Sequence, residues 1–169
     1  MCHRICSIVL LLLLAVGPVA AGPFDKTRVG QQAPEFQVTT TDGKTWNLKD
    51  MRGKVVVLNF FATWCPPCRQ ELPHLQSELW NKRKSDSRWT MLSVGREHTV
   101  EQLKAFQEKE KFTFPMAADP ERGAYSLYAE KMIPRTYVID PKGKIVFQSI
   151  GFEEGDLGRI EAAIEGALK

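Results

Sequence analysis

The hydrophobic positions of this chain change period from segment to segment, and each change marks an element. Val55-Val56-Val57-Leu58 is a continuous apolar, β-branched run, which predicts a strand buried on both faces. From Leu72 onward, Leu72, Leu75, Leu79 and Trp80 recur at helical spacing. Before the buried strand, Phe36-Gln37-Val38-Thr39-Thr40 and Thr45-Trp46-Asn47-Leu48 each alternate, and Asp42-Gly43 between them is a hairpin signal. After the first helix, Trp89 to Gly95 reads as a second strand, and the strand-helix-strand order implies a parallel pair joined by a right-handed crossover. Thr99 can cap a further helix, with Glu101 or Gln102 near the capping-box position and Val100, Leu103 and Phe106 along its apolar side, edged by Gln107. Phe112 to Ala117 reads as a short strand, and a short helix is expected near Ala124 to Ala129. Tyr137 to Asp140, a turn over Pro141-Lys142-Gly143-Lys144, and Ile145 to Ile150 predict an antiparallel hairpin. Leu157, Ile160, Ala163, Ile164 and Leu168 form the inner stripe of a closing helix.

A chain of 169 residues has room for one domain with a proper core. Its formal net charge of +3 gives no reason to expect nucleic acid or an anionic surface as partner. The densest basic cluster, Lys82-Arg83-Lys84 with Arg88, falls where the first helix should end, and cations there suit the helix dipole. The first stretch is set apart from the fold. Arg4 supplies a positive start, Ser7 to Val16 is an apolar run led by five leucines, and Val19-Ala20-Ala21 offers small residues for cleavage before Gly22. Residues 1–21 therefore read as a secretory signal, with an uncleaved anchor as the alternative, and the protein is expected to be exported. Residues 22–34 read as a polar connector and 35–169 as the domain.

Removing that segment removes Cys2 and Cys6 and leaves Cys65 and Cys68 in an exported protein. A disulfide scaffold needs more cysteines, widely spaced, and closing so small a loop constrains the unfolded chain little. The pair is thus read as chemical rather than structural. Cys65 sits where the buried strand meets the helix, in reach of the first free N–H groups and of the positive end of the dipole, which stabilise a thiolate. Pro66 occupies a first-turn position, where its missing N–H costs nothing. Cys68, one turn further, can close a disulfide with Cys65 and is expected to be the less exposed of the two. Pro73, inside the helix, should kink it.

Trp64-Cys65-Pro66-Pro67-Cys68 after a strand, with Pro73 five residues past the second cysteine, resembles the thioredoxin-like signature. From Val29-Gly30-Gln31-Gln32-Ala33-Pro34-Glu35-Phe36 to the last helix, the chain is similar to the TlpA/ResA/CcmG-type extracytoplasmic thiol-disulfide oxidoreductases. That resemblance implies an α/β fold, a thioredoxin-like three-layer sandwich whose mixed sheet is flanked by helices, with an N-terminal β-hairpin and a central insertion over about 96–120. It implies a nucleophilic Cys65 and a resolving Cys68 that form a redox disulfide, and a cis bond at Ile133-Pro134, where Ile133 would pair with an extended substrate. Trp64, Pro66, Pro67, Ile133 and Pro134 form the substrate-binding set. Glu71 falls where this branch keeps a buried acid that tunes the thiols and passes a proton. Asn59 stands where cytosolic thioredoxins carry a buried aspartate; Asn cannot ionise, so a proton relay must come from elsewhere. The implied activity is reduction of disulfides in exported proteins, cytochrome c maturation among its uses. The implied partners are protein disulfides and a membrane electron donor of thiol-reductase type, with no cofactor and a monomeric chain.

Other readings compete at several positions. Glu71 alone would be a surface helix glutamate, and Trp64 could simply pack in the core. Structural zinc is the main rival use of Cys-x-x-Cys, but only His74 and His98 accompany the cysteines, His74 on a helix that points it away and His98 as a loop residue past a strand end. Haem attachment needs His after the second cysteine, where Arg69 stands. A peroxidatic cysteine would follow a Pro and a Thr, where Leu58 and Ala62 stand. The functional alternative is a non-catalytic binding or adaptor module on the same scaffold.

Overall fold

Every residue of Val55–Phe61 (β3) is buried, which requires cover on both faces, and the molecule is built outward from this strand. The structure is a computed structural model describing Gly22, residues 24–153 and residues 155–169. The expected signal segment lies outside the described residues. Gln37–Thr40 (β1) and Thr45–Asn47 (β2) form the N-terminal hairpin. Pro66–His74 (α1) follows β3, and Asn81–Arg83 (α2) ends the same helical rod. Trp89–Arg96 (β4), Val100–Glu110 (α3), Met116–Asp119 (β5) and Tyr125–Tyr128 (α4) come next. Arg135–Ile139 (β6), Ile145–Ile150 (β7) and Asp156–Ala167 (α5) complete the chain.

The seven strands form one mixed sheet in the order β2-β1-β5-β4-β3-β6-β7. β3 runs parallel to β4, as the crossover rule requires, and β4 parallel to β5; the remaining pairs are antiparallel. Side chains alternate across the pleat. Val55, Val57 and Phe61 therefore enter a core with Leu72, Leu75 and Leu79, with Leu103 of α3 and with Leu157, Ile160 and Ile164 of α5. Val56, Leu58 and Phe60 enter a second core with Tyr125 and Tyr128 of α4 and with Ala33 and Phe36. Two apolar layers around one sheet make the three-layer, thioredoxin-like sandwich.

Local departures from the expected elements have physical causes. The strand expected over Phe112 to Ala117 begins only at Met116: the Phe112 and Thr113 N–H groups donate to the Gln107 carbonyl and to Gln76 Oε1, outside any ladder, and Pro115 has no N–H to give. Phe112 and Phe114 stack on each other instead, with centroids 5.2 Å apart. Just past Pro73, where a kink is expected, the helix widens to a π turn over Leu75–Trp80, and the Asn81 N–H bonds back to Gln76. Thr99 and Gln102 make a reciprocal capping box, deciding between the two candidates at that position. The basic cluster lies at the end of α2, as its charges favour. The segment expected as a polar connector is laid against the domain: Thr27 is buried, and Asp25 and Gln32 form bridges to Ala129 and Lys144.

Candidate active site

Cys65 is the N-cap of α1, and its sulfur accepts the Cys68 backbone N–H at 3.4 Å. Pro66 and Pro67 fill the next two positions, where the missing N–H groups leave no orphan donors. Cys65 and Cys68 are disulfide-bonded, with Cα atoms 5.3 Å apart. Cys68 is wholly buried and Cys65 is 3% exposed, so the expected order is kept by a narrow margin and the outer sulfur lies nearly flush with the surface. Trp64 beside it is 57% exposed, which removes the core-packing reading. The Arg96 guanidinium lies 5.5 Å from the Trp64 ring centroid and 4.9 Å from that of Tyr125, so the indole is backed by a cation held on a second ring.

The Ile133-Pro134 bond is cis. The Ile133 carbonyl oxygen lies 3.7 Å from Cys65 Sγ, bringing the two ends of the proposed substrate track together across β3 and β6. Met132, just before it, is 55% exposed.

Behind the cysteines, the period-2 pleat aims Asn59 of β3 and Thr136 of β6 at α1, and the registered pair Asn59–Thr136 flanks Glu71. Glu71 is 1% exposed. Its carboxylate accepts from Asn59 Nδ2 at 2.7 Å and from Thr136 Oγ1 at 2.9 Å, and Asn59 Nδ2 also donates to Thr136 Oγ1 at 3.0 Å. Burial pushes the Glu71 carboxyl up to about 7, against the two hydrogen bonds that favour its charged form; the Asp156 charge adds to the rise. The surface-glutamate reading therefore fails. Asn59 does not ionise but holds the acid that does, and its buried Oδ1 has no partner among the described residues. Rotating that amide would offer Oδ1 to a protonated Glu71, so the triad can accommodate either charge state.

Two neighbours of the site were not legible as such. Thr136 carried no motif signal beyond its place after Pro134. His98 lies in a loop past a strand end as expected, yet it is buried: its Nε2 accepts the Thr63 backbone N–H at 3.1 Å and contacts Thr63 Oγ1 at 2.7 Å. The available clue is register. β3 and β4 are parallel and pair Phe61 with Gly95, so the residues just past both strands must meet. His74 lies away from the motif, exposed and paired with Glu78 at 2.6 Å.

The profile of the AhpC/TSA family matches residues 29–148. The ResA thiol-disulfide oxidoreductase of Bacillus thuringiensis is 35% identical over 174 residues, covering 99% of this chain and 96% of its own. The chain belongs to this family. Within it, the resemblance runs to the thiol-disulfide oxidoreductases of ResA type. A solved putative protein disulfide isomerase from Bacteroides thetaiotaomicron superposes with a TM-score of 0.81 at 33% identity, over 86% of this chain and 92% of its own. A putative thiol:disulfide interchange protein DsbE from Chlorobium tepidum does so with a TM-score of 0.74 at 31% identity, over 83% and 98%. The chain is accordingly a thiol-disulfide oxidoreductase of thioredoxin-like fold. No helix among the described residues is long and apolar enough to cross a membrane.

Proposed function

We propose that the protein is an exported reductant of protein disulfides, with Cys65 as nucleophile, Cys68 as resolving thiol and Glu71 as the acid/base behind them. The observation that carries this reading is the Cys65 sulfur at the N-cap of α1, within reach of a helix N–H and of Cys68, above a buried carboxyl with neutral donors only. In the reduced protein, Cys65 as thiolate attacks one sulfur of a substrate disulfide; the new S–S bond joins Cys65 to the substrate and the other substrate sulfur leaves as thiolate and is protonated. The Cys68 thiol then gives its proton to the Glu71 carboxylate and attacks Cys65 Sγ. The mixed disulfide breaks, the second substrate thiolate departs, and the Cys65–Cys68 disulfide closes. Two electrons pass to the substrate, and a membrane thiol-reductase restores the dithiol.

Trp64, Pro66, Pro67, Ile133 and the cis Pro134 form the surface on which an extended substrate strand lies, Ile133 supplying main-chain partners. The expected substrates are exported proteins with oxidised cysteine pairs, those of c-type cytochrome precursors included. Cys68→Ser should trap Cys65 adducts with such proteins in cells; absence of adducts would sink the exchange reading. The direction follows from the reduction potential of the pair: near about −270 mV it is a reductant, whereas a value near about −120 mV makes it an oxidant and reverses the assignment.

A further inference from the structure

On the opposite face of the sheet from Glu71 lies a second buried polar group that the exchange chemistry does not use. Arg135, directly after Pro134, is the bulkiest side chain that the fold buries completely, at 1% exposure. A guanidinium cannot shed its proton, so every N–H it brings inside must find an acceptor. Its Nε donates to the carbonyls of Lys131 and Met132, both at 3.1 Å, and Nη2 donates to Lys131 at 2.8 Å. Nη1 pairs with the carboxylate of Asp25, itself buried, from the segment that precedes the first strand. The second oxygen of Asp25 accepts from Gln148 Nε2 and from the Gly22 N–H, each at 2.8 Å. The Met132 carbonyl also accepts the Tyr125 hydroxyl at 2.8 Å. Two of these donors, Arg135 Nε and the Tyr125 hydroxyl, meet at the carbonyl of Met132, a residue with φ of +71°, a left-handed conformation that an unbranched apolar side chain seldom adopts without outside support.

The held peptide leads straight into Ile133, whose carbonyl faces Cys65. We infer that Arg135 and Asp25 are positioning residues for disulfide exchange: their ion pair fixes the Met132–Ile133 backbone against the Cys65 sulfur, and so ties the N-terminal segment to the substrate track. The fork geometry matters, because one planar guanidinium reaches two successive carbonyls and a carboxylate together, which a lysine ammonium cannot reproduce. The inference rests on the exchange reading above and adds which residues hold its peptide-binding edge.

The test compares two disulfides in the full chain. A peptide disulfide in an extended segment needs the Ile133 backbone; the small disulfide dithiobis-nitrobenzoate needs only the Cys65 thiolate. Arg135→Lys keeps a cation beside Asp25 and Asp25→Asn keeps an oxygen acceptor for Arg135, whereas Arg135→Ala would leave a buried carboxylate with no partner of either kind. Both variants should lower kcat/KM for the peptide about tenfold, the size of one misplaced main-chain hydrogen bond. The rate with dithiobis-nitrobenzoate and the Cys65–Cys68 reduction potential should stay as in the parent. Equal slowing of both substrates, or no slowing of either, overturns the inference while the exchange reading stands. A parent protein that reduces neither disulfide overturns the exchange reading, and this inference with it.

Discussion

Arg135 and Thr136 are neighbours on β6, so their side chains leave opposite faces of the sheet, and each meets a buried carboxylate. On the side of α1 Thr136 meets Glu71, which has an amide and a hydroxyl as partners and no ion pair among the described residues. On the far side Arg135 meets Asp25, a charge matched by a charge. Burial is nearly the same for both acids; the partner differs, and with it the use. A carboxyl held only by neutral donors stays able to gain and lose a proton near neutrality, the property that the proposed acid/base role requires. A carboxylate locked to a guanidinium is a clamp, and here it clamps the backbone that faces the same sulfur.

Removing Arg135 should break the comparison most severely. Arg135→Ala leaves Asp25 buried without its cation and should cost about 3–5 kcal/mol of stability in denaturant unfolding. Glu71→Gln should act in the opposite sense. In the folded protein Glu71 holds its proton up to about pH 7, against an ordinary value of 4.5, so its stabilising contribution is complete below pH 4.5 and is lost as pH rises through 7. The parent should thus lose about 3 kcal/mol relative to Glu71→Gln between pH 4 and pH 9. Parallel stability curves for the two proteins would show that Glu71 does not titrate as described. The same variant should remove the inflection near neutral pH from the resolving step; an unchanged profile would take Glu71 out of the mechanism.

Asn59→Leu sharpens the contrast from within the triad. It deletes one donor that favours the charged acid, so the Glu71 carboxyl should titrate higher still, by about 1 pH unit for a charge-assisted hydrogen bond. Infrared titration of the carboxyl band would read this directly. Trp64→Ala should have the smallest effect on folding, within about 0.5 kcal/mol, since the indole is exposed. It should still slow peptide disulfides more than small ones, and a melting shift larger than that would mean the ring packs rather than presents a surface.

The legible and illegible parts of the site separate by distance along the chain. Cys65, Cys68 and Glu71 lie close together in the chain at one strand-helix junction, and the resemblance, not the spacing, marked the acid as buried. That Asn59 holds Glu71 was not readable, although its inability to ionise was, because the contact depends on how α1 lies over β3. Thr136 and His98 join the site through strand register, and the link from Asp25 to Arg135 spans 110 positions. Phe112 to Pro115 shows the reverse case: an apolar run suggested a strand there, but the Phe112 and Thr113 N–H groups are taken by Gln107 and Gln76, which only the packing of the helices could reveal.

What the sequence determined by itself is local and periodic: the buried β3, the proline-bearing first turn of α1 with a cysteine at its start, the Thr99 cap of α3, and a cysteine pair too closely spaced to be scaffolding. These follow from covalent geometry and from the 2.0 and 3.6 periods, which act within a few residues. The tertiary structure alone decided which partner each buried charge received. Whether a buried acid meets neutral donors or a guanidinium depends on where elements from both ends of the chain come together, and that is set only when the two faces of the sheet close.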